Sequence, residues 1–222
     1  MRILILTHPR SGGFSLLTWI FNEKKKSLNF LDKKKEIQIY HEPDLTNEEI
    51  KKTILNRDNI VVKLFLSAIN SNELNNFMDS FDKVIIHKRD DITDVAISFL
   101  HSNLLNDKIG ENSYTITEQH NVYELNNQWI QEHFNEIEYY KKIIKNHHNE
   151  LDSIIYPNSI RTSYDLIHYD KTDVAKICEY LDIFEPKYLD IIDKTRRLKN
   201  GSKGMDDKLL GVPNYFLKKN LI

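Results

Sequence analysis

The chain has 222 residues, 40% of them apolar and 29% charged, with a formal net charge of -2. That length suits one α/β domain with a sizeable core, and the balance is that of a soluble globular protein. A charge so near zero excludes a global field drawing the protein to nucleic acid or anionic lipid, so any anion site must be local. The single cysteine, Cys178, excludes an internal disulfide and offers no metal-ligand pattern; it reads as a small buried apolar residue. The first apolar run, Ile3 to Leu6, is too short for a signal peptide, and no window approaches a membrane span. The cytoplasm is therefore the expected compartment.

In chain order, Arg2 to Thr7 reads as a buried strand and Phe14 to Glu23 as a helix. Lys24 to Lys35 reads as a basic, solvated connector. Ile37 to Tyr40 is a short strand ending at His41-Glu42-Pro43-Asp44. Thr46 is placed to cap a helix from Asn47 to Leu55, with Glu49 completing a capping box. Asn59 to Leu66 and Lys83 to Arg89 are two more buried strands, separated by a helix that ends near Ser80. Asp94 to Leu105 is a helix with Val95, Phe99 and Leu105 on one face. Thr117 to Leu151 is a long helical region, broken at most once, with Trp129, Phe134, Ile137, Tyr140, Ile143 and Ile144 spaced as a core face. His147 and His148 read as part of its solvated face. A strand near Asn158 to Thr162 and an amphipathic helix from Asp173 to Leu181 follow. Strands alternate with helices, which predicts a single α/β domain over residues 1–222 with a mostly parallel sheet flanked by helices. A helical insertion at about 103–150 and a basic C-terminal segment at 195–222 complete it.

The turn after the first strand carries the chemistry. In Thr7-His8-Pro9-Arg10-Ser11-Gly12-Gly13-Phe14-Ser15, a strand runs through two glycines into a helix. Backbone N–H groups and a helix N-terminus together favour an anion. The glycines let the backbone come close to it, Arg10 adds a charged planar fork, and Ser11 and Ser15 add hydroxyl donors. The turn is not a standard P-loop. That motif requires G-x-x-x-x-G-K-[ST], and Phe14-Ser15 stands where Lys-Ser/Thr would be. A tight turn with a solvated arginine is the competing reading. A second stretch, Val84 to Ser102, repeats the design: strand, Arg89, acidic turn, then a helix bearing Ser98. Arg89 leaves its strand at the same sheet edge as Arg10, so the two arginines suggest two anionic groups on one ligand. Ion pairing of Arg89 with Asp90, Asp91 or Asp94 is the alternative.

These segments resemble the sulfotransferases that use 3′-phosphoadenosine 5′-phosphosulfate (PAPS). Thr7 to Leu17 is similar to the family's 5′-phosphosulfate loop and Lys88 to Ser102 to its 3′-phosphate motif. Arg161 to Ile183 is similar to its Tyr-Glu/Asp-Asp-Leu segment, and Val212 to Leu221 to the tail of some bacterial members. The resemblance spans nearly the whole chain in four ordered landmarks. It implies a single α/β domain of P-loop-NTPase-like sulfotransferase architecture. It also implies PAPS as cofactor, 3′-phosphoadenosine 5′-phosphate (PAP) as product, and no required metal. By resemblance Arg10, Ser11, Gly12, Gly13, Phe14 and Ser15 form the loop, Arg89 and Ser98 bind the 3′-phosphate, and Tyr164 lies by the adenine. Arg196, Arg197, Lys199 and Lys203 either close over the 3′-phosphate or form a solvated charged tail. The sequence departs from the family at Phe14, which replaces a hydroxyl residue. The Arg89 to Ser98 spacing is one residue longer than usual. Lys63-Leu64-Phe65 retains the lysine of a Lys-Thr/Ser-His strand without its histidine.

Sulfuryl transfer is an in-line displacement, for which positioning and charge stabilisation supply most of the catalysis by analogy with phosphoryl transfer. Arg10 and Lys63 are the candidate cations. The acceptor's proton needs a base, and the candidates are Glu42, preferred, which would need to be raised by burial and which Pro43 keeps extended, and His41 beside it. His87 reads as a core residue. The expected activity is transfer of sulfate to a hydroxyl of a carbohydrate or small-molecule acceptor, with no nucleic acid or membrane partner. The alternatives are a nucleotide or small-molecule kinase of related fold, and a non-catalytic PAP- or nucleotide-binding protein that lost the base. The acceptor and the oligomeric state are not legible in the sequence.

Overall fold

The computed structural model describes residues 1–31, 37–109, 127–167 and 172–183. Five strands make one sheet: β1 (Arg2–Thr7), β2 (Gln38–His41), β3 (Ile60–Phe65), β4 (Lys83–Lys88) and β5 (Ser159–Ser163). The helices are α1 (Gly13–Leu31), α2 (Glu48–Asn56), α3 (Leu74–Met78), α4 (Ile92–Ile109), α5 (Asn127–Glu132), α6 (Phe134–Ser153) and α7 (Thr172–Leu181), with a turn of 3-10 helix at Leu66–Ala68. The strand order is β2-β3-β1-β4-β5 and every pairing is parallel. This α/β architecture is compatible with the expected P-loop-like fold.

The chain parts into two compact units, residues 1–90 with 148–192, and residues 91–147 with 193–222. The first division between the units falls between Asp90 and Asp91, ahead of α4. The reason lies in α4 itself. Its Val95, Ala96, Ile97 and Leu100 share a core with Trp129 of α5 and Ile137 and Ile144 of α6.

In the sheet unit, alternation along buried strands sends side chains to two cores. Ile3 and Ile5 of β1, Val61 of β3 and Ile85 of β4 pack with Leu16, Leu17, Trp19 and Ile20 of α1 and Val174, Ile177, Cys178 and Leu181 of α7. Leu4, Leu6, Val62, Leu64, Val84 and Ile86 face the other way, against Ile54 of α2, Phe77 and Met78 of α3, and Leu151 at the end of α6. Each fully buried Leu or Ile side chain contributes about 1.5–3 kcal/mol relative to exposure. These two layers therefore hold the strand ends in fixed register.

Several elements differ from expectation for local reasons. Helix α1 continues to Leu31, into the stretch expected as a connector, whose residues 32–35 lie outside the described residues, and Lys24 Nζ donates to the Leu181 carbonyl at the end of α7. Asn47, not Thr46, caps α2: its side-chain oxygen accepts from the Glu49 and Ile50 N–H groups, while Thr46 turns to Asp44. The long helical region expected from Thr117 is described from Asn127 on, and there it breaks at His133, between α5 and α6. Phe134, expected in the core, is 55% exposed beside that break. Among the described residues no helix is long and apolar enough to cross a membrane.

Candidate functional site

Strand β1 is central, with β3 on one side and β4 on the other. The chain leaving β1 travels toward β2, while the chain leaving β4 travels toward β5 at the opposite edge. The carboxyl ends of β1 and β4 thus flank a topological switch point, where open parallel sheets bind ligands. Thr7-His8-Pro9-Arg10-Ser11-Gly12-Gly13 occupies that position, and α1 begins at Gly13.

The turn is held from several directions. Arg10 and Gly12 both have left-handed backbones, with φ of 64° and 81°. The buried Ser11 hydroxyl is hydrogen-bonded to the Thr7 hydroxyl, and its carbonyl accepts from His87 Nε2 at 3.1 Å. That contact fixes the His87 tautomer. Nε2 carries the proton, so Nδ1 accepts from the Thr162 hydroxyl at 2.9 Å. Burial first, and the Lys63 charge as well, hold His87 down at about 4 against the pull of the Ser11 carbonyl and Asp90. The expectation of a core histidine is met, and its core position shapes the loop.

Lys63 is a buried cation on the α1 side of β3. Its aliphatic stem lies beside Gly13, where a Cβ would sit 3.2 Å from Lys63 Cε. The ammonium pairs with Glu42 Oε1 and lies 3.8 Å from the Phe65 ring centroid. Burial lowers Lys63 to about 8; Glu42 works against that fall, and the Arg10 charge adds to it. Arg10 and Lys63 therefore act on one another at the same edge.

Glu42 corrects two expectations. It is not extended before Pro43 but left-handed, with φ of 52°. Its N–H continues the ladder to the Lys63 carbonyl at 2.9 Å, which turns the chain there. Nor is it raised. Burial is the largest single influence and pushes the carboxyl up, but hydrogen bonds and charge from His41 and Lys63 outweigh it and hold it at about 2. A carboxylate so stabilised is a weak proton acceptor. His41 Nε2 lies 3.2 Å from the same oxygen, and its ring meets Phe14 edge-on at 4.7 Å. Phe14 thus forms a wall for His41.

The second arginine joins this site through Tyr164. Arg89 is 2% exposed, with its guanidinium 4.9 Å from the Tyr164 ring centroid. The same ring lies against Gly12, where any Cβ would overlap it. The loop, Tyr164 and Arg89 form one continuous contact at the carboxyl ends of β1, β4 and β5. Tyr164, expected beside an adenine, is itself buried here as the spacer between loop and arginine.

Ser98 is a buried residue of α4, in the helical unit. Asp91 serves the α4 start, accepting from the Asp94 N–H at 3.0 Å. Ser15 falls within α1. Arg196, Arg197, Lys199, Lys203 and the stretch from Val212 to Leu221 lie outside the described residues. Among the described residues no group of three or more His, Cys, Asp or Glu side chains could hold a metal ion.

One pair at this edge was missed. His148, read as part of a solvated helix face, is 6% exposed and meets His8 Nε2 through its own Nε2 at 2.9 Å. His8 in turn reaches the Pro9 carbonyl through Nδ1 at 2.9 Å. The only sequence signal was the helical spacing of His148 with Leu151 and Ile144, which places it on the apolar face. No family model matches the chain, and no curated protein matches its sequence.

Proposed function

We propose that this chain is a sulfotransferase that moves the sulfuryl group of PAPS to a hydroxyl of a carbohydrate or small-molecule acceptor. The observation that carries the reading is the continuous contact from Gly12 through Tyr164 to Arg89. It puts an anion-type loop and a buried arginine at one switch point, as a ligand with two separate anionic groups requires. Lys63, buried and directed toward the same loop, supplies a third cation.

In such a reaction the acceptor oxygen attacks sulfur, and the bond from sulfur to the bridging oxygen breaks. That oxygen leaves with the electron pair on the 5′-phosphate. Arg10, Lys63 and the loop N–H groups are the donors that stabilise this charge. Arg89 holds the 3′-phosphate. The acceptor's proton goes to His41, oriented by Glu42. His41 Nε2 lies 3.2 Å from Glu42 Oε1, which leaves Nδ1 as the nitrogen for the acceptor's proton. Glu42 then serves as the counter-charge that keeps Lys63 in place, not as the base. The kinase alternative receives no support from the loop, where Phe14-Ser15 replaces the Walker lysine and hydroxyl.

The test is calorimetric titration with PAP and, in parallel, with ATP-Mg²⁺, on the wild type and Arg89→Ala. PAP binding in the micromolar range, weakened at least about tenfold by the substitution and unmatched by ATP, is the expected outcome. Absence of PAP binding, or tighter binding of ATP-Mg²⁺, overturns the reading.

A further inference from the structure

The residue at the centre of the anion turn has a backbone that needs support. Arg10 sits at φ 64°, where a non-glycine residue stays only when its surroundings hold it. Supports on its C-terminal side are already described: the Ser11 carbonyl on His87, the Ser11 hydroxyl on Thr7, and the Tyr164 ring over Gly12. On the N-terminal side, the peptide that joins Pro9 to Arg10 is gripped by its carbonyl. A carbonyl only accepts, so His8 Nδ1 carries a proton and donates to Pro9. A neutral His8 then has its lone pair on Nε2, and this accepts from His148 Nε2–H at 2.9 Å. The two rings, with centroids 4.7 Å apart, are both buried.

We infer that His148, on the last turns of α6, is a positioning residue for the anion loop. Its Nε2–H selects the His8 tautomer and orientation that hold the Pro9 carbonyl, and so fixes the Pro9–Arg10 peptide from which Arg10 is presented. The grip comes from a residue 140 positions away in sequence. It is anchored where α6 is itself fixed to the sheet. Leu151, one turn on, is fully buried in the sheet core, and Asp152 pairs with Lys88 of β4 at 2.9 Å. The chemistry required of position 148 is specific: an N–H donor about the length of a histidine Nε2. Glutamine supplies one. Leucine and phenylalanine supply none.

The inference rests on the proposed function only in taking the loop to bind an anion, and its test separates the two. Amide hydrogen exchange of Arg10, Ser11, Gly12 and Gly13 is measured without ligand in the wild type, His148→Gln and His148→Leu. PAP affinity is measured on the same proteins. His148→Leu is expected to speed exchange of these amides tenfold or more while amides of the β1 core keep their protection. His148→Gln is expected to remain within threefold of the wild type. PAP affinity should fall about tenfold in His148→Leu and be rescued in His148→Gln. In an Arg10→Ala background, the effect of His148→Leu on affinity should vanish, because the two act through one peptide. Should His148→Leu fail to fold, His148→Phe carries the comparison, filling the ring's space without a donor. Unchanged loop exchange in the variant that lacks a donor overturns the role. So does a glutamine variant that behaves like leucine. If PAP binds no variant, the proposed function fails, while the exchange data still decide the role of His148.

Discussion

Acidification tests the buried histidine beneath the loop. His87 is folded in a neutral form whose proton affinity is lowered to about 4 from an ordinary value of 6.5, chiefly by burial. Between those values the unfolded chain binds a proton that the folded chain refuses. Stability conferred by neutral His87 is thus present above about pH 6.5 and drains away as pH falls toward 4. At about 1.4 kcal/mol per pH unit of separation, the full penalty is about 3 kcal/mol, and about 2 kcal/mol of it is felt between about pH 7 and about pH 5. Urea unfolding of the wild type and His87→Gln at both pH values reads this directly. Glutamine lacks the titrating ring, so its stability starts lower but falls less, the two slopes differing by about 2 kcal/mol. The paired carboxyl of Glu42 responds only below its ordinary 4.5, outside this window. Equal losses in the two proteins would show that His87 is not held neutral and that its bonds to Ser11 and Thr162 are not those described.

Other perturbations give sharp outcomes. Gly12→Ala places a Cβ into the Tyr164 ring on a left-handed backbone, and should lose about 3 kcal/mol by urea unfolding; a loss under about 1 kcal/mol means that the ring is not wedged there. Glu42→Gln removes the counter-charge of a buried ammonium and should destabilise by about 3 kcal/mol near neutral pH. An unchanged unfolding midpoint refutes that pairing. Lys63 is charged below about 8 and neutral above it, so PAP affinity should fall as pH rises through that value. Lys63→Met should bind weakly with no such step, and a step that persists in the variant belongs to another group.

How much was legible follows from which interactions are local. Strands β1, β3 and β4 are short continuous apolar runs, the pattern of a sheet buried on both faces, and they stand where expected. The anion turn could be read because glycine pairs at strand-to-helix turns have few uses. The partners of its residues could not be read. As a base Glu42 would need to be raised by burial, and burial does push it up. Its net direction is set by His41 and Lys63, and Lys63 becomes its neighbour only through the pairing of β2 with β3. His148 looked like one more polar residue on a helix rich in Lys, Asn and Glu. Only the end of α6 packing over β1 turns it inward. Phe134 fitted the apolar spacing and is exposed because the helix breaks just before it. Periodicity reports which face is buried, and it is blind to the partner found there.

The sheet unit is discontinuous in sequence, residues 1–90 being completed by residues 148–192. During synthesis, the strand–turn–helix of the candidate site emerges early, and three of its props emerge late. Thr162 of β5, which orients His87, lies 75 residues beyond it, and Tyr164 and His148 also come late in the chain. Until they leave the ribosome, β4 has an open edge and Arg10 has a left-handed backbone without its N-terminal clamp. A nascent chain stopped before α6 therefore carries the turn with Thr7, Lys63 and His87 about it, but lacks the Tyr164 ring, the Thr162 contact to His87 and the His148 clamp. The candidate site is complete only once translation has passed the fifth strand and Tyr164.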